Sequence, residues 1–318
     1  MNFSKLVDRN KLQVSVVIPV RNRPDLLTEC LSSLSTQDFP LNDFEILICD
    51  DGSTEDLQSV IYGVGRTIPY LRLLRQKHKG PGAARNLGIH DSTAPIILFL
   101  DSDVVPDKDL VSKLVTALNQ NPEWMGVEAK IKSAGGNPCP LWDAPVCDDG
   151  RRYHTAAIAY RREALVKAGG FDETFKLPAC EDVDLAARIL GMGSIGFTPE
   201  AIAHHPIRLV RLKTHWRWRR HWKYEMILAK RYGFLSFPGH SAGPFPRLRL
   251  ALAAVITLPV GRFVEGLKYI GTKPSDGLLA CLYALIDIFY GLWALPSILF
   301  SGVPQRQNYL STDKSITL

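Results

Sequence analysis

The chain has 318 residues, 46% of them apolar and 22% charged, with a formal net charge of +6. That length and balance exclude a disordered tail or a collagenous fibre and leave room for one large domain or two modest ones, each with a real core. The charge is local: residues 208–231 hold nine Lys or Arg against one acid, Glu225, so the remainder is close to neutral and a nucleic-acid-binding surface is not expected.

The first dozen residues lack the apolar run of a signal peptide, so a cytoplasmic protein is expected. "VSVVIP" (14–19) reads as a strand, and Leu26, Leu27, Cys30, Leu31 and Leu34 then recur at helical spacing behind Pro24. "FEILICD" (44–50) is the second strand, followed by a short helix around 55–62 and a third strand near 70–74. "GPGAARNLGI" (80–89) opens another helix, and "PIILFLD" (95–101) is the fourth strand. Strands alternating with helices predict a mostly parallel sheet covered on both faces, with ligands beyond the carboxyl ends of its strands. Residues 132–153 read as a long loop, 155–160 as a strand, 161–168 as a helix, and "ACEDVDLAARILGMG" as a helix that closes at Gly191 or Gly193. The six cysteines (30, 49, 139, 147, 180 and 281) form no CxxC pair and are expected to be reduced thiols.

After residue 205 the character changes. A basic stretch rich in Trp leads to "LALAAVITLPVG" (250–261), too short to cross a bilayer, and to the 23-residue run 278–300, which is long enough. The latter is apolar on every helical face except at Asp287, which argues against simple spanning. Positive residues on both flanks favour an in-and-out or in-plane arrangement, and membrane association is expected, with a helical core or a dimer interface as the alternative.

The chemistry gathers at the strand ends. Asp101 and Asp103, one residue apart after a buried strand, suit Mg²⁺ or Mn²⁺ together with substrate phosphates, although an acidic turn before a helix is the plainer alternative. In "ICDDGS" Asp51 could accept a nucleobase N–H, against an ordinary Asp-Gly turn. "GPGAARN" lacks the P-loop lysine and the dinucleotide GxGxxG; Arg85 within it could pair with a phosphate, brace Asp51, or sit on the surface. Glu181 and Asp182 open a helix, where the dipole favours acids without any function; the functional alternative is a general base.

In order, "VSVVIPVRN", "CDDGS", "GPGAARNLGI", "LFLDSDV" and "EDVDL" resemble the family 2 glycosyltransferases of the GT-A fold over roughly residues 14–205. The resemblance implies an α/β, Rossmann-like GT-A domain and inverting transfer of a single sugar from a nucleotide-diphospho-sugar, with a divalent cation (Mn²⁺ or Mg²⁺). By position, Pro19, Arg21, Asn22, Asp51 and Ser53 would meet the nucleoside, with Arg85 nearby. Asp101, Ser102 and Asp103 would hold ribose, metal and diphosphate, Asp182 would be the base, and Glu181 would orient the acceptor. His204 or His205 would supply a further metal ligand, with strand-end packing as the alternative.

Position 21 is Arg where Tyr is frequent in the family, so a planar guanidinium would replace base stacking there. The signature of processive synthases is incomplete in Thr214–Trp218, which favours single addition. The expected organisation is a catalytic domain over 1–205 (nucleotide half about 12–104, acceptor half about 105–205), a basic Trp-rich helical segment over 206–246, apolar membrane-associating helices over 247–303, and a tail over 304–318. The expected acceptor is lipid-linked or a glycan at the cytoplasmic membrane face. A sugar nucleotidyltransferase is the first rival, disfavoured because "PVRNRPD" replaces its Gly-rich basic loop. The second is a non-catalytic membrane-bound nucleotide-binding scaffold.

Overall fold

The computed structural model describes residues 11–64, 67–135, 141–209, 222–232 and 252–300. They form two compact units, one of Met1–Ala134 with Pro145–Pro206, the other of Gly135–Ala144 with Ile207–Gln305.

The first unit is built on an eight-stranded sheet. Its strands are β1 (Val14–Val20), β2 (Phe44–Asp50), β3 (Leu71–Arg75), β4 (Ile96–Leu100), β5 (Val105–Pro106), β6 (Trp124–Ala134), β8 (Ala157–Arg161) and β9 (Ser194–Pro206), in the spatial order 3-2-1-4-8-6-9-5. The pairs β1–β2, β2–β3, β1–β4 and β6–β9 are parallel, whereas β8 runs antiparallel to both its neighbours and β5 antiparallel to β9. The sheet is therefore mixed, with its parallel half at the amino-terminal side.

Burial on both faces explains the unbroken apolar runs of these strands. Successive side chains of β1 point to opposite faces: Val16 and Ile18 join one core with Leu27 and Leu31 of α1 (Pro24–Leu34) and Leu114 of α4 (Leu110–Gln120). Val17 faces the other core, with Ala84 and Ile89 of α3 (Pro81–Asp91), Leu165 of α5 (Arg162–Ala168) and Leu185 and Ile189 of α6 (Glu181–Leu190). A short α2 (Gln58–Val64) precedes β3. The strands over 105–106, 124–134 and 194–206 are absent from the sequence reading. The stretch read as a loop, 132–153, begins inside β6 and is tied back by backbone bonds of 3.0 Å each way between Ile131 and Cys147.

In the second unit, β7 (Trp142–Asp143) pairs antiparallel with β10 (Arg208–Leu209). Its helices are α7 (Trp222–Tyr232), α8 (Leu258–Ile270) and α9 (Pro274–Phe300), with Leu252 and a π-helical turn (Ala253–Thr257) leading into α8. Within the apolar run of 250–261, residues 252–261 belong to a helix that continues to Ile270, and Leu250 and Ala251 lie outside the described residues. Thr214–Trp218 and much of the basic stretch lie outside the described residues.

Gly88 marks the tightest helix–sheet contact near the site: a Cβ there would collide with Val17 Cγ1 and lie 2.9 Å from Cγ2. Gly88→Ala is therefore expected to lower stability by about 1–3 kcal/mol, read as a reduced urea midpoint with an unchanged slope.

Candidate active site

The carboxyl ends of β1, β2 and β4 carry Pro19 to Arg23, Asp50 to Ser53, and Asp101 to Asp103. Asn22 and Arg23 both have positive φ, 59° and 63°, a conformation non-glycine residues rarely adopt. The Asn22 N–H donates to Ser53 Oγ at 2.7 Å, and Asn22 Oδ1 accepts from the Thr54 N–H at 2.9 Å, so the ends of β1 and β2 are stitched together. Asp50, fully buried, caps the same turn by accepting from Ser53 N at 2.8 Å and from Arg75 Nε at 2.6 Å. Pro19 and Ser102 are half-buried at the same rim.

Asp51 is buried and saturated. Its Oδ1 accepts from Gln76 Nε2 and Lys79 N, each at 2.8 Å, and its Oδ2 from His78 Nδ1 at 2.7 Å and Gly80 N at 2.9 Å. A carboxylate has about four acceptor positions, so a nucleobase N–H reaches Asp51 only if one of these donors gives way. Arg21 Nη1 lies 3.0 Å from His78 Nε2. A guanidinium only donates, so Nε2 accepts and the neutral ring carries its proton on Nδ1, directed at Asp51. Gly80 has φ of 109°, and a Cβ there would sit 2.8 Å from the Lys176 carbonyl oxygen, so only glycine closes this segment.

The centre of the rim is Arg85, whose side chain is 5% exposed. It lies neither on the surface nor against Asp51. Nη2 donates to Asp101 Oδ1 at 2.9 Å and Nη1 to Glu181 Oε1 at 3.0 Å, and the guanidinium lies 5.6 Å from the centre of the Phe171 ring. Burial pulls Arg85 toward neutrality, but Asp101, Glu181 and Asp182 together outweigh it, and the net direction is up. Glu181 behaves differently: burial first, then the Asp182 charge, push it up from 4.5 to about 7, against the pull of Arg85. Arg85 Nε and Glu181 Oε2 are buried without a hydrogen-bond partner. Two such atoms in one cluster are an energetic cost typical of a working site.

Asp101, Asp103 and His205 bring one ligand atom each to within 4.8 Å of one another. His205 Nδ1 faces its neighbour's carbonyl, Pro206 O, at 2.9 Å and so carries the proton, leaving the Nε2 lone pair 3.6 Å from Asp103 Oδ1. This oxygen-rich set with one imidazole fits a divalent metal. Arg23 Nη1 holds the other Asp103 oxygen at 2.9 Å. Of the two histidines open in the sequence, His205 joins this cluster, whereas His204 Nε2 pairs with Asp107 Oδ1 at 3.0 Å.

Asp182 is half-buried beside Glu181 at the start of α6. Its Oδ1 accepts from the Val183 N–H at 2.8 Å, and its Oδ2 lies 3.7 Å from His154 Nδ1. His154 was missed in the sequence because its placement is indirect. Glu128, buried in β6, accepts the backbone N–H groups of Arg151 at 2.6 Å, Arg152 at 3.1 Å and Tyr153, and so fixes the segment carrying His154. Arg151 and Tyr153 are held at positive φ, 64° and 57°, in doing so. Burial raises Glu128 despite these three donors.

Residues 15–137 match the model of Glycosyl transferase family 2. The chain carries a family 2 glycosyltransferase domain. Among curated relatives, the pre-mycofactocin glycosyltransferase of Mycobacterium tuberculosis is 32% identical over 212 residues, covering 61% of this chain and 43% of that protein. The chain thus spans less than half the length of that relative. Among solved structures, the mannosyltransferase PcManGT of Pyrobaculum calidifontis, in complex with GDP-Man and Mn²⁺, aligns with a TM-score of 0.60 at 20% identity, covering 92% and 91% of the two chains. S. aureus TarS 1-349 in complex with UDP-GlcNAc aligns at 0.57 and 18% identity, covering 90% and 91%. At these identities the structures establish the fold, GT-A, which is the α/β class expected from the sequence.

The raised Glu181 has a testable consequence for the glycosyltransferase domain. A carboxyl that ionises later in the folded state contributes stability that is fully present below pH 4.5 and is lost as the pH rises to about 7. Glu181→Gln should abolish that loss, narrowing the difference in urea midpoint between pH 5 and pH 8 relative to the unsubstituted chain. Equal pH dependence in the two proteins would contradict the assignment.

Proposed function

We propose that the chain is an inverting, divalent-cation-dependent glycosyltransferase that moves a single sugar from a nucleotide-diphospho-sugar to a hydroxyl of a lipid-linked or glycan acceptor at the cytoplasmic face of a membrane. The observation that carries this reading is the Arg85 bridge: one buried guanidinium joins Asp101, beside Asp103 and His205, to Glu181, beside Asp182. A metal-binding carboxylate pair and a candidate base are thereby set on opposite sides of a single fixed charge.

Asp101, Asp103 and His205 would hold the cation. When bound, it supplies positive charge at the leaving diphosphate. The chain's own residues do the rest. Pro19, Arg21, Asn22 and Ser53 line the rim where the nucleoside would lie, with Ser102 near the ribose. Asp51 would receive the base once the 76–80 segment yields a donor.

Asp182 Oδ2 takes the proton from the acceptor hydroxyl, whose oxygen forms a bond to the anomeric carbon while the bond from that carbon to the diphosphate oxygen breaks. Attack opposite the leaving group inverts the anomeric configuration. His154 lies 3.7 Å from Asp182 Oδ2, and Glu181, pinned by Arg85, would orient the acceptor. His204, paired with Asp107, is assigned to strand-end packing rather than to the metal. Membrane placement is supported by the one described helix long and apolar enough to cross a bilayer, Pro274–Pro296.

A thermal-shift screen with UDP, GDP, dTDP and CDP, each with and without Mn²⁺, tests the donor half. Ligand at 100 times its dissociation constant adds about 2.7 kcal/mol, a shift of several degrees. One nucleotide should give a Mn²⁺-dependent shift that Asp103→Ala loses and Asp182→Asn keeps. With the matching sugar nucleotide, Asp182→Asn should lower turnover about 10²–10⁴-fold, and ¹H NMR should show an inverted anomer as first product. No shift with any of the four nucleotides would overturn the metal–nucleotide reading and favour the scaffold.

A further inference from the structure

The second unit is packed against the usual order of a water-soluble helical pair. Where α8 and α9 meet, the side chains are small. A Cβ on Gly277 would lie 2.6 Å from the Ile270 nitrogen and 2.7 Å from the Gly266 oxygen, and one on Gly266 would lie 2.8 Å from Cys281 Sγ. Ala280 and Ala284 are buried alongside, together with Tyr283 and Tyr290.

The large apolar side chains point outward instead. Fifteen of the twenty large hydrophobic residues that are exposed among the described residues lie between Leu252 and Phe300, with Phe289 at 74% and Trp293 at 73%. Small residues inside and bulky ones outside is the pattern of helices solvated by lipid, where close backbone approach drives association and the outer surface needs no charge.

The polar groups obey the same logic. Asp287, the residue that argued against spanning, is fully buried, and its Oδ2 receives Arg262 Nη1 at 2.5 Å. Arg262, half-buried on α8, and Asp287, buried on α9, each lie near mid-length of their arm, so the hairpin carries its two central charges as an ion pair between its arms. Charged residues inside a bilayer are tolerated where they pair and face the bundle interior.

The remaining charges of the hairpin, Glu265, Lys268, Lys273 and Asp276, cluster within about 10 Å of the turn at Gly271–Lys273 at 1.5 Å per helical residue. From Leu252 to Ile270 the first arm runs about 28 Å, and from Pro274 to Pro296 the second runs about 35 Å, against a hydrocarbon core of about 30 Å; among the described helices the second alone is apolar enough to cross by itself, and the first crosses as its packed partner. The π-helical turn just before Pro259 is a local adjustment by which a membrane helix accommodates a proline.

Exposure also discriminates lipid from a second copy of the chain. Leu258 and Phe263, both exposed, lie about 140° apart around the first arm at ~100° per residue, wider than one flat protein interface covers.

The geometry points to a transmembrane helical hairpin over residues 252–300, with the Gly271–Lys273 turn on the membrane face opposite the glycosyltransferase domain and the Arg262–Asp287 pair closing the hairpin at mid-depth. This rests on the membrane reading above and adds the crossing. Both arms start and end on one side, and the sequence between residue 206 and Leu252 offers no apolar run long enough to cross, so the domain remains on the side where the hairpin begins.

The test is thiol labelling of the full chain in sealed membrane vesicles of known orientation. A membrane-impermeant maleimide is applied to Thr272→Cys, at the turn, and to Glu123→Cys, on an exposed loop of the domain, each with Cys139→Ser. The chain should stay in the membrane through alkaline carbonate, and positions 272 and 123 should label from opposite sides, each at least fivefold more strongly than from the other. Release by carbonate would overturn membrane association itself; retention with both positions labelling from the same side would overturn only the crossing. In the Thr272→Cys background, Asp287→Leu leaves Arg262 without its mid-depth carboxylate and should cut far-side labelling at least threefold, and adding Arg262→Leu should restore it. Unchanged labelling in the single variant would remove the pair from the hairpin's insertion.

Discussion

The site depends on one buried cation. Arg85 comes from α3, its two carboxylate partners come from the end of β4 and the start of α6, and the three are far apart in sequence. A guanidinium with about 5% of its side chain exposed cannot be left unpaired; removing one partner of such a group costs about 3–5 kcal/mol. Arg85 therefore fixes the distance between the Asp101–Asp103–His205 cluster and the Glu181–Asp182 pair. It also divides the carboxylates by environment. Asp101 and Asp103 converge with His205, whereas Glu181, deeper and next to Asp182, is pushed toward holding its proton near neutral pH.

The segments around this core are held by similar economies. Asp51 spends all four of its acceptor positions on residues 76–80, and Glu128 collects three consecutive N–H groups from residues 151–153. Each carboxylate shapes a loop rather than facing solvent, and each loop delivers a side chain to the rim: His78 beside Arg21 in one case, His154 beside Asp182 in the other. Positive φ at Asn22, Arg23, Arg151 and Tyr153 falls in these loops and in the turn after β1, and at Cys180 it falls just before Glu181. Strained backbone gathered at one rim is characteristic of a functional site.

Much of this was legible in the sequence, for a simple reason. A strand buried on both faces is an unbroken apolar run, so the carboxylates that end it stand out, and 14–19, 44–50 and 95–101 announced themselves together with Asp51, Asp101 and Asp103. The half-buried strands did not. In β9 the residues opposite Ala129 and Lys130 are Thr198 and Ile202, a register jump that breaks alternation and hides which of His204 and His205 faces the site. The partners of Arg85 were invisible for a different reason: Glu181 lies 96 positions away, and no local pattern records a contact of that range. The run at 250–261 was bounded by its apolar residues alone, whereas the helix that holds residues 252–261 runs on to Ile270 through residues of mixed polarity. Asp287 looked like an isolated charge because its partner, Arg262, sits across the hairpin.

The central claim is that the rim around Arg85 binds a divalent cation through Asp101, Asp103 and His205 together with a nucleoside diphosphate. Electron paramagnetic resonance of Mn²⁺ tests it most directly, since protein-bound ion loses the sharp six-line signal of the free ion. In the presence of the nucleotide that stabilises the chain, about one Mn²⁺ per chain should disappear from the free signal. Asp103→Ala and His205→Ala should each weaken that binding at least tenfold, about 1.4 kcal/mol or more, while Asp182→Asn leaves it unchanged. Undiminished Mn²⁺ binding in the Asp103→Ala and His205→Ala chains would contradict the account.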